Sequence, residues 1–215
     1  GRRMISGNII GKTSGNTTYT ITEGIEIIEK DFDFEDMQTV ILPKSLKQIA
    51  SNPFRFCEDL EKIVSKSDNF IVKDNVLYTS DMKRLVAFFS KAKTFNVPDS
   101  VTHIGSCAFS WRGELQAINI PESVTHIEDE AFDEAFENVE GGINKEDIKI
   151  KKYYFEKGNP FYDEELKGPN FKKYCLDNNF EGIDYVYILL TWNGQFKPYN
   201  HDFSHFEPYI VSILD

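Results

Sequence analysis

One repeated pattern constrains this chain more than any other feature. Residues 97–109 read Val-Pro-Asp-Ser-Val-Thr-His-Ile-Gly-Ser-Cys-Ala-Phe, and residues 120–132 read Ile-Pro-Glu-Ser-Val-Thr-His-Ile-Glu-Asp-Glu-Ala-Phe. The offset is 23 residues throughout, so Pro98 falls on Pro121, Val101 on Val124, His103 on His126, Ile104 on Ile127 and Phe109 on Phe132. An earlier copy starts at Leu42-Pro43, reaches Ile49 and Phe54, and continues to Leu60 and Ile63. A shortened copy is visible in Ile21, Ile25, Ile28, Phe32, Met37 and Val40. Such a period is too long for a heptad and too short for a helical hairpin. It leaves one solenoid coil per unit, each burying its apolar slots against its neighbours.

Within a coil, Ile118 and Ile120 alternate with Ala117 and Asn119, the period of a strand with one buried face, and Pro121 ends it because it has no N–H for a ladder. Ser-Val-Thr-His-Ile predicts a second extended segment. Residues 105–109 and 128–132 are expected to form a tight helical or 3₁₀ turn that drops a phenylalanine inward, so Phe32, Phe54, Phe109 and Phe132 should stack as a spine. Between Pro43 and Pro98 lie 55 residues where two coils need 46, an excess of nine. The extra chain holds two β-rich runs around Thr79-Ser80-Asp81-Met82 and a further tight turn at Lys73-Asp74-Asn75, the marks of a hairpin.

These copies resemble the BspA-like leucine-rich repeats, whose units carry Ile-Pro-x-Ser-Val-Thr-x-Ile-Gly-x-x-Ala-Phe. The resemblance covers residues 21–132 and departs from the pattern at Glu128, where the family has glycine, and at Asn52-Pro53-Phe54. It implies an α/β fold: a leucine-rich-repeat solenoid of short parallel strands over residues 21–143, with a hairpin-bearing insertion near 66–93. It also implies a non-catalytic bacterial module, secreted or at the cell surface, with adhesion to extracellular proteins among its roles. Residues 1–20, rich in glycine and threonine, read as a lead or edge hairpin. Residues 144–215 read as an aromatic-rich α+β cap or small domain, with a short helix after Gly168-Pro169 and a strand over residues 185–192 before the turn Asn193-Gly194.

Charge narrows the partners. With 35 acidic and 24 basic side chains the formal net charge is −11, and no basic stripe offsets it, which argues against nucleic acid. No apolar run approaches the ~20 residues of a membrane-crossing helix, and residues 1–7 lack the apolar segment of a signal peptide. Cys57, Cys107 and Cys175 permit at most one internal disulfide.

No cofactor motif stands out. Gly7-Asn8-Ile9-Ile10-Gly11-Lys12-Thr13 has three residues between its glycines where a phosphate loop needs four, and reads as a polar turn. His103 and His126 share a slot in successive coils, about one strand spacing of 5 Å apart. Gln48 fills that slot in the earlier copy and a third ligand is missing, so the pair reads as a solvated ladder. Metal binding by His103 and His126, or by His201 and His205 around Asp202, is the alternative. Cys175 reads as a structural thiol. No catalytic residues are assigned.

The outward positions between buried aliphatics are Thr39, Ile41, Lys62, Val64, Thr94, Asn96, Ala117 and Asn119. Small and weakly apolar, they are expected to form one continuous sheet face suited to a protein or glycan ligand rather than to a reacting small molecule, which needs a pocket with convergent titratable groups. The rival reading places a hydrolase, metal or ligand site in the C-terminal segment, at Trp192, Tyr199, His201, Asp202 and His205.

Overall fold

In this computed structural model, residues 3–5, 7–10, 17–121, 123–128, 130–132, 134, 135 and 148–150 are described. The chain winds into a β-solenoid of parallel strands. The first coil carries β1 (Arg3–Ile5), β2 (Asn8–Ile10) and β3 (Thr18–Thr20), and the second β4 (Ile25–Ile28), β5 (Asp33–Glu35) and β6 (Thr39–Leu42). Each strand of the first coil pairs in parallel with its counterpart in the second. The N-terminal stretch is thus a coil of the solenoid and not a lead or edge hairpin; its glycines and threonines hide strands that are too short to show an alternating pattern.

The third coil adds β7 (Gln48–Ile49) beside β4 and β8 (Lys62–Ser65) beside β6, while Phe56 bridges to Glu35. Then the regular winding is interrupted. Strands β9 (Phe70–Lys73) and β11 (Arg84–Phe88) both run antiparallel to β10 (Val76–Thr79), which lies between them. Asp74 and Asn75 turn the first hairpin with φ of 49° and 59°, values that Asp and Asn accept more readily than other side chains with a Cβ. Winding resumes with β12 (Thr94–Asn96), β13 (His103–Ile104), β14 (Ala117–Ile120), β15 (His126–Ile127) and β16 (Ile148–Ile150). Here the 23-residue repeat is literal: Thr94 pairs with Ala117, and His103 with His126.

Among the described residues there is no helix, so the solenoid is a β fold and the α/β expectation is corrected. The tight segments after β13 and β15 are chained turns. Ala108 N–H donates to the Gly105 carbonyl at 3.1 Å, Ser110 to Cys107 at 3.0 Å and Arg112 to Phe109 at 3.2 Å. Cys107 and Trp111 have φ of 58° and 61°, and Glu130 and Glu134 repeat this one coil on, both at 57°. A right-handed helix cannot propagate through such residues. The expected α+β cap lies, beyond β16, outside the described residues, as do its predicted helix and strand.

Phenylalanines fill the interior. Phe109 stacks on Phe132 at 4.9 Å and 10°, and on its other side on Phe88 at 5.0 Å and 28°. Toward the N-terminus the ring stacked on Phe54 is Phe34, at 5.4 Å and 4°, and Phe32 meets Phe34 edge-on. The expected spine is corrected accordingly: Phe34 takes the slot assigned to Phe32 in a stack with Phe54, and Phe88 from the inserted hairpin heads a second stack with Phe109 and Phe132.

The third coil meets the post-insertion coil through a seam of polar contacts. Asn52 N–H donates to the Ser106 carbonyl at 3.0 Å, and its side-chain amide to the Cys107 carbonyl at 3.0 Å. Arg112 Nη2 donates to the Phe54 carbonyl at 2.9 Å. The departure from the repeat pattern at Asn52-Pro53-Phe54 is therefore where one set of coils is fastened to the other.

Candidate surface of the solenoid

Strands leave two kinds of exposed face. On the sheet β3-β6-β8, Thr39 stands in register with Lys62 and Ile41 with Val64. On the sheet β12-β14-β16, Thr94 stands in register with Ala117 and Asn96 with Asn119. Lys62, Thr94 and Asn96 are exposed; Thr39, Ile41, Val64, Ala117 and Asn119 are half-buried. Their buried counterparts, Val40, Leu42, Ile63, Ile118 and Ile120, point into the core.

These eight residues do not form the one continuous face expected of them. β8 and β12 are not hydrogen-bonded to each other, so the two groups of four lie on separate three-stranded sheets. The cause is the inserted hairpin: after β8 the chain builds β9-β10-β11 into the five-stranded sheet with β13 and β15 before β12 starts a fresh ladder. Thr18 and Thr20, exposed on β3 and in register with Thr39 and Ile41, extend the first face by one strand. They were missed because the first coil is not recognisable as a repeat copy.

On the five-stranded sheet the His103 and His126 rings stack at 4.3 Å with an interplanar angle of 2°. Each Nδ1 shares a hydrogen bond with the hydroxyl of the preceding residue, Thr102 at 2.8 Å and Thr125 at 2.9 Å. Parallel rings aim their nitrogens the same way rather than at a shared centre, and among the described residues no group of three His, Cys, Asp or Glu is placed to hold an ion. Burial pushes the His103 pKa down, with the neighbouring His126 and Arg84 adding to the effect and Glu128 opposing it. Arg84 and Glu128 form an ion pair beside the stack.

Cys57 and Cys107 are both buried and free, and burial pushes the Cys57 thiol up to about 11. The glycine-bracketed segment near the N-terminus contains β2 where a phosphate-binding loop would need an open turn. Cys175, Trp192, Tyr199, His201, Asp202 and His205 lie outside the described residues. No described helix is long and apolar enough to cross a membrane.

Among solved structures, the chain is similar to a leucine-rich repeat protein from Eubacterium ventriosum, with 22% identity, a TM-score of 0.49, and 54% of this chain and 33% of that one covered. It is similar also to a leucine-rich cell surface protein from Faecalibacterium prausnitzii, at 22% identity and a TM-score of 0.48, with 62% and 42% covered. A third is the pneumococcal vaccine antigen PcpA, at 17% identity and a TM-score of 0.46, with 62% and 39% covered. The chain thus spans less than half the length of each of these proteins. No curated protein matches it. The family model described as BspA type leucine-rich repeat region matches residues 5–90 and 87–188 in six copies, and the chain belongs to that family.

Proposed function

We propose that this chain is a non-catalytic binding module that holds a protein or glycan ligand on its strands, in a secreted or surface-exposed setting with adhesion as the role. The observation that supports it is the composition of the two sheet faces: Thr39, Ile41 and Val64 on one, Thr94, Asn96, Ala117 and Asn119 on the other, with Lys62 the one charge among the eight. Small side chains on a rigid ladder let a partner approach the backbone closely and are fixed before binding, which lowers the entropy lost on association. Membership of a repeat family whose coils stack into extended surfaces points the same way.

The test is biolayer interferometry of the full chain against purified extracellular-matrix proteins and immobilised glycans. Thr94→Glu with Asn119→Lys on one face, and Thr39→Glu with Val64→Lys on the other, should abolish capture by the face used while circular dichroism stays unchanged. Capture that survives both pairs of changes removes the strands from consideration.

A further inference from the structure

Two residues beyond the stacked phenylalanine of four coils the chain has a slot on the turns, filled by Asp36 after Phe34, Phe56 after Phe54, Trp111 after Phe109 and Glu134 after Phe132. At Asp36, Trp111 and Glu134 the backbone is left-handed, with φ of 57°, 61° and 57°. A short polar side chain such as aspartate tolerates this conformation, whereas for a bulky one it is an outlier. The indole held there is 38% exposed, and the local backbone is one that a bulky side chain adopts at a cost. The left-handed backbone recurs at this slot in other coils and so belongs to the turn; what sets this coil apart is that it presents an indole there, partly exposed to solvent.

The surroundings specify its use. Trp111 is braced on one side by Phe56, edge-on at 5.8 Å, and Phe56 in turn carries the Arg55 guanidinium 4.7 Å from its ring centre. Asp33 fixes that guanidinium through two hydrogen bonds of 3.1 and 3.2 Å. Beside the indole opens a cleft of about 200 Å³ lined by Glu58, Asp59, Ser90, Lys91, Arg112 and Glu114. Two cations also line the cleft; both bond backbone carbonyls, and the buried Nε of Arg112 has no partner among the described residues. Arg112, 5% exposed, bonds the carbonyls of Phe54 and Cys57, and Lys91 Nζ donates to the Glu58 carbonyl. Glu58, Asp59 and Glu114 supply the cleft with carboxylate acceptors in a chain whose net charge is −11.

A flat π face for C–H groups, flanked by carboxylate acceptors for hydroxyls, is the chemistry that holds an uncharged sugar ring; with three carboxylates against two cations in the lining and an acidic chain around it, the cleft disfavours an anionic one. We infer that Trp111 and this cleft form a subsite for a neutral, equatorially substituted sugar residue of a glycan. The site lies in the turns, not on the strands, and is independent of the sheet faces proposed above.

Saturation-transfer NMR on the full chain tests it, with cellotetraose and chitotetraose as neutral probes, tetragalacturonate as the anionic probe and a tetralysine peptide as the cationic one. At least one neutral probe should receive saturation at its ring C–H protons. Trp111→Ala should weaken that binding about tenfold, the value of one aromatic contact, and Trp111→Phe should retain part of it. Both variants should keep the parent melting temperature, and Thr94→Glu with Asn119→Lys should leave sugar binding unchanged. The inference is overturned if neither neutral probe binds, if Trp111→Ala binds as well as the parent, if tetragalacturonate binds as tightly, or if tetralysine alone engages Trp111.

Discussion

Single side chains carry much of the stability of this fold. Phe109 is fully buried between the rings of Phe88 and Phe132, so Phe109→Ala removes two stacked contacts and leaves a cavity. The expected loss is about 3–5 kcal/mol in urea-induced unfolding. The stacked imidazoles add a pH dependence. Because the His103 pKa is lowered in the fold, the unfolded chain takes up that proton first. Stability from this residue is therefore complete above the ordinary histidine value, about 6.5, and is lost as pH falls through the folded value. His103→Gln, which installs the residue that Gln48 supplies at the same slot, should flatten the decline in melting temperature below about pH 6.5. At the alkaline end the sign is reversed in pH. With the Cys57 thiol raised from 9.0 to about 11, its contribution is whole below pH 9 and disappears as pH climbs through 11. Cys57→Ala should weaken that loss between those values, as read by thermal melts across the range.

Among the elements, some were legible in the chain and others were not. The alternation at Ala117-Ile118-Asn119-Ile120 reads directly as β14, since one buried face imposes a period of two. The turn chemistry of Asp74-Asn75 was equally readable. The turns after β13 and β15 were not, because cysteine, tryptophan and glutamate at Cys107, Trp111, Glu130 and Glu134 give no hint of left-handed backbone. That conformation is imposed by stacking, not by local preference. Asn52 illustrates the same point. As a sequence it looks like a lapse in the repeat, yet its side chain accepts from Phe54 N–H at 2.9 Å and donates to the Cys107 carbonyl. Asn52→Ala leaves buried backbone groups without partners and should cost about 1–3 kcal/mol, with faster amide exchange at Phe54 as the specific sign.

For the molecule as a whole, the repeat period foretold the winding but not the division of its surface. Counting residues showed that something longer lies between Pro43 and Pro98; only the pairing shows that it ends one outer sheet and forces another to start. The candidate face was therefore legible residue by residue, from alternation within strands, and illegible in extent. Unfolding should reflect the division. A cluster running from Ile21 through Phe54 and Leu60 to Phe89 makes one cohesive body, fastened to the following coils by Asn52, Ser51 and Arg112. Cutting the seam with Asn52→Ala and Arg112→Met should turn a single denaturation transition into two, with β12 and β14 amides exchanging independently of those in β6 and β8.

The constant offset between Thr94 and Ala117, and between His103 and His126, has a consequence for reach. Because each added copy lays one more rung on ladders already present, length in this architecture grows in fixed increments. Splicing a further 23-residue copy in after Ile120 should lengthen the rod by about 4.8 Å, a single rung, without altering its girth.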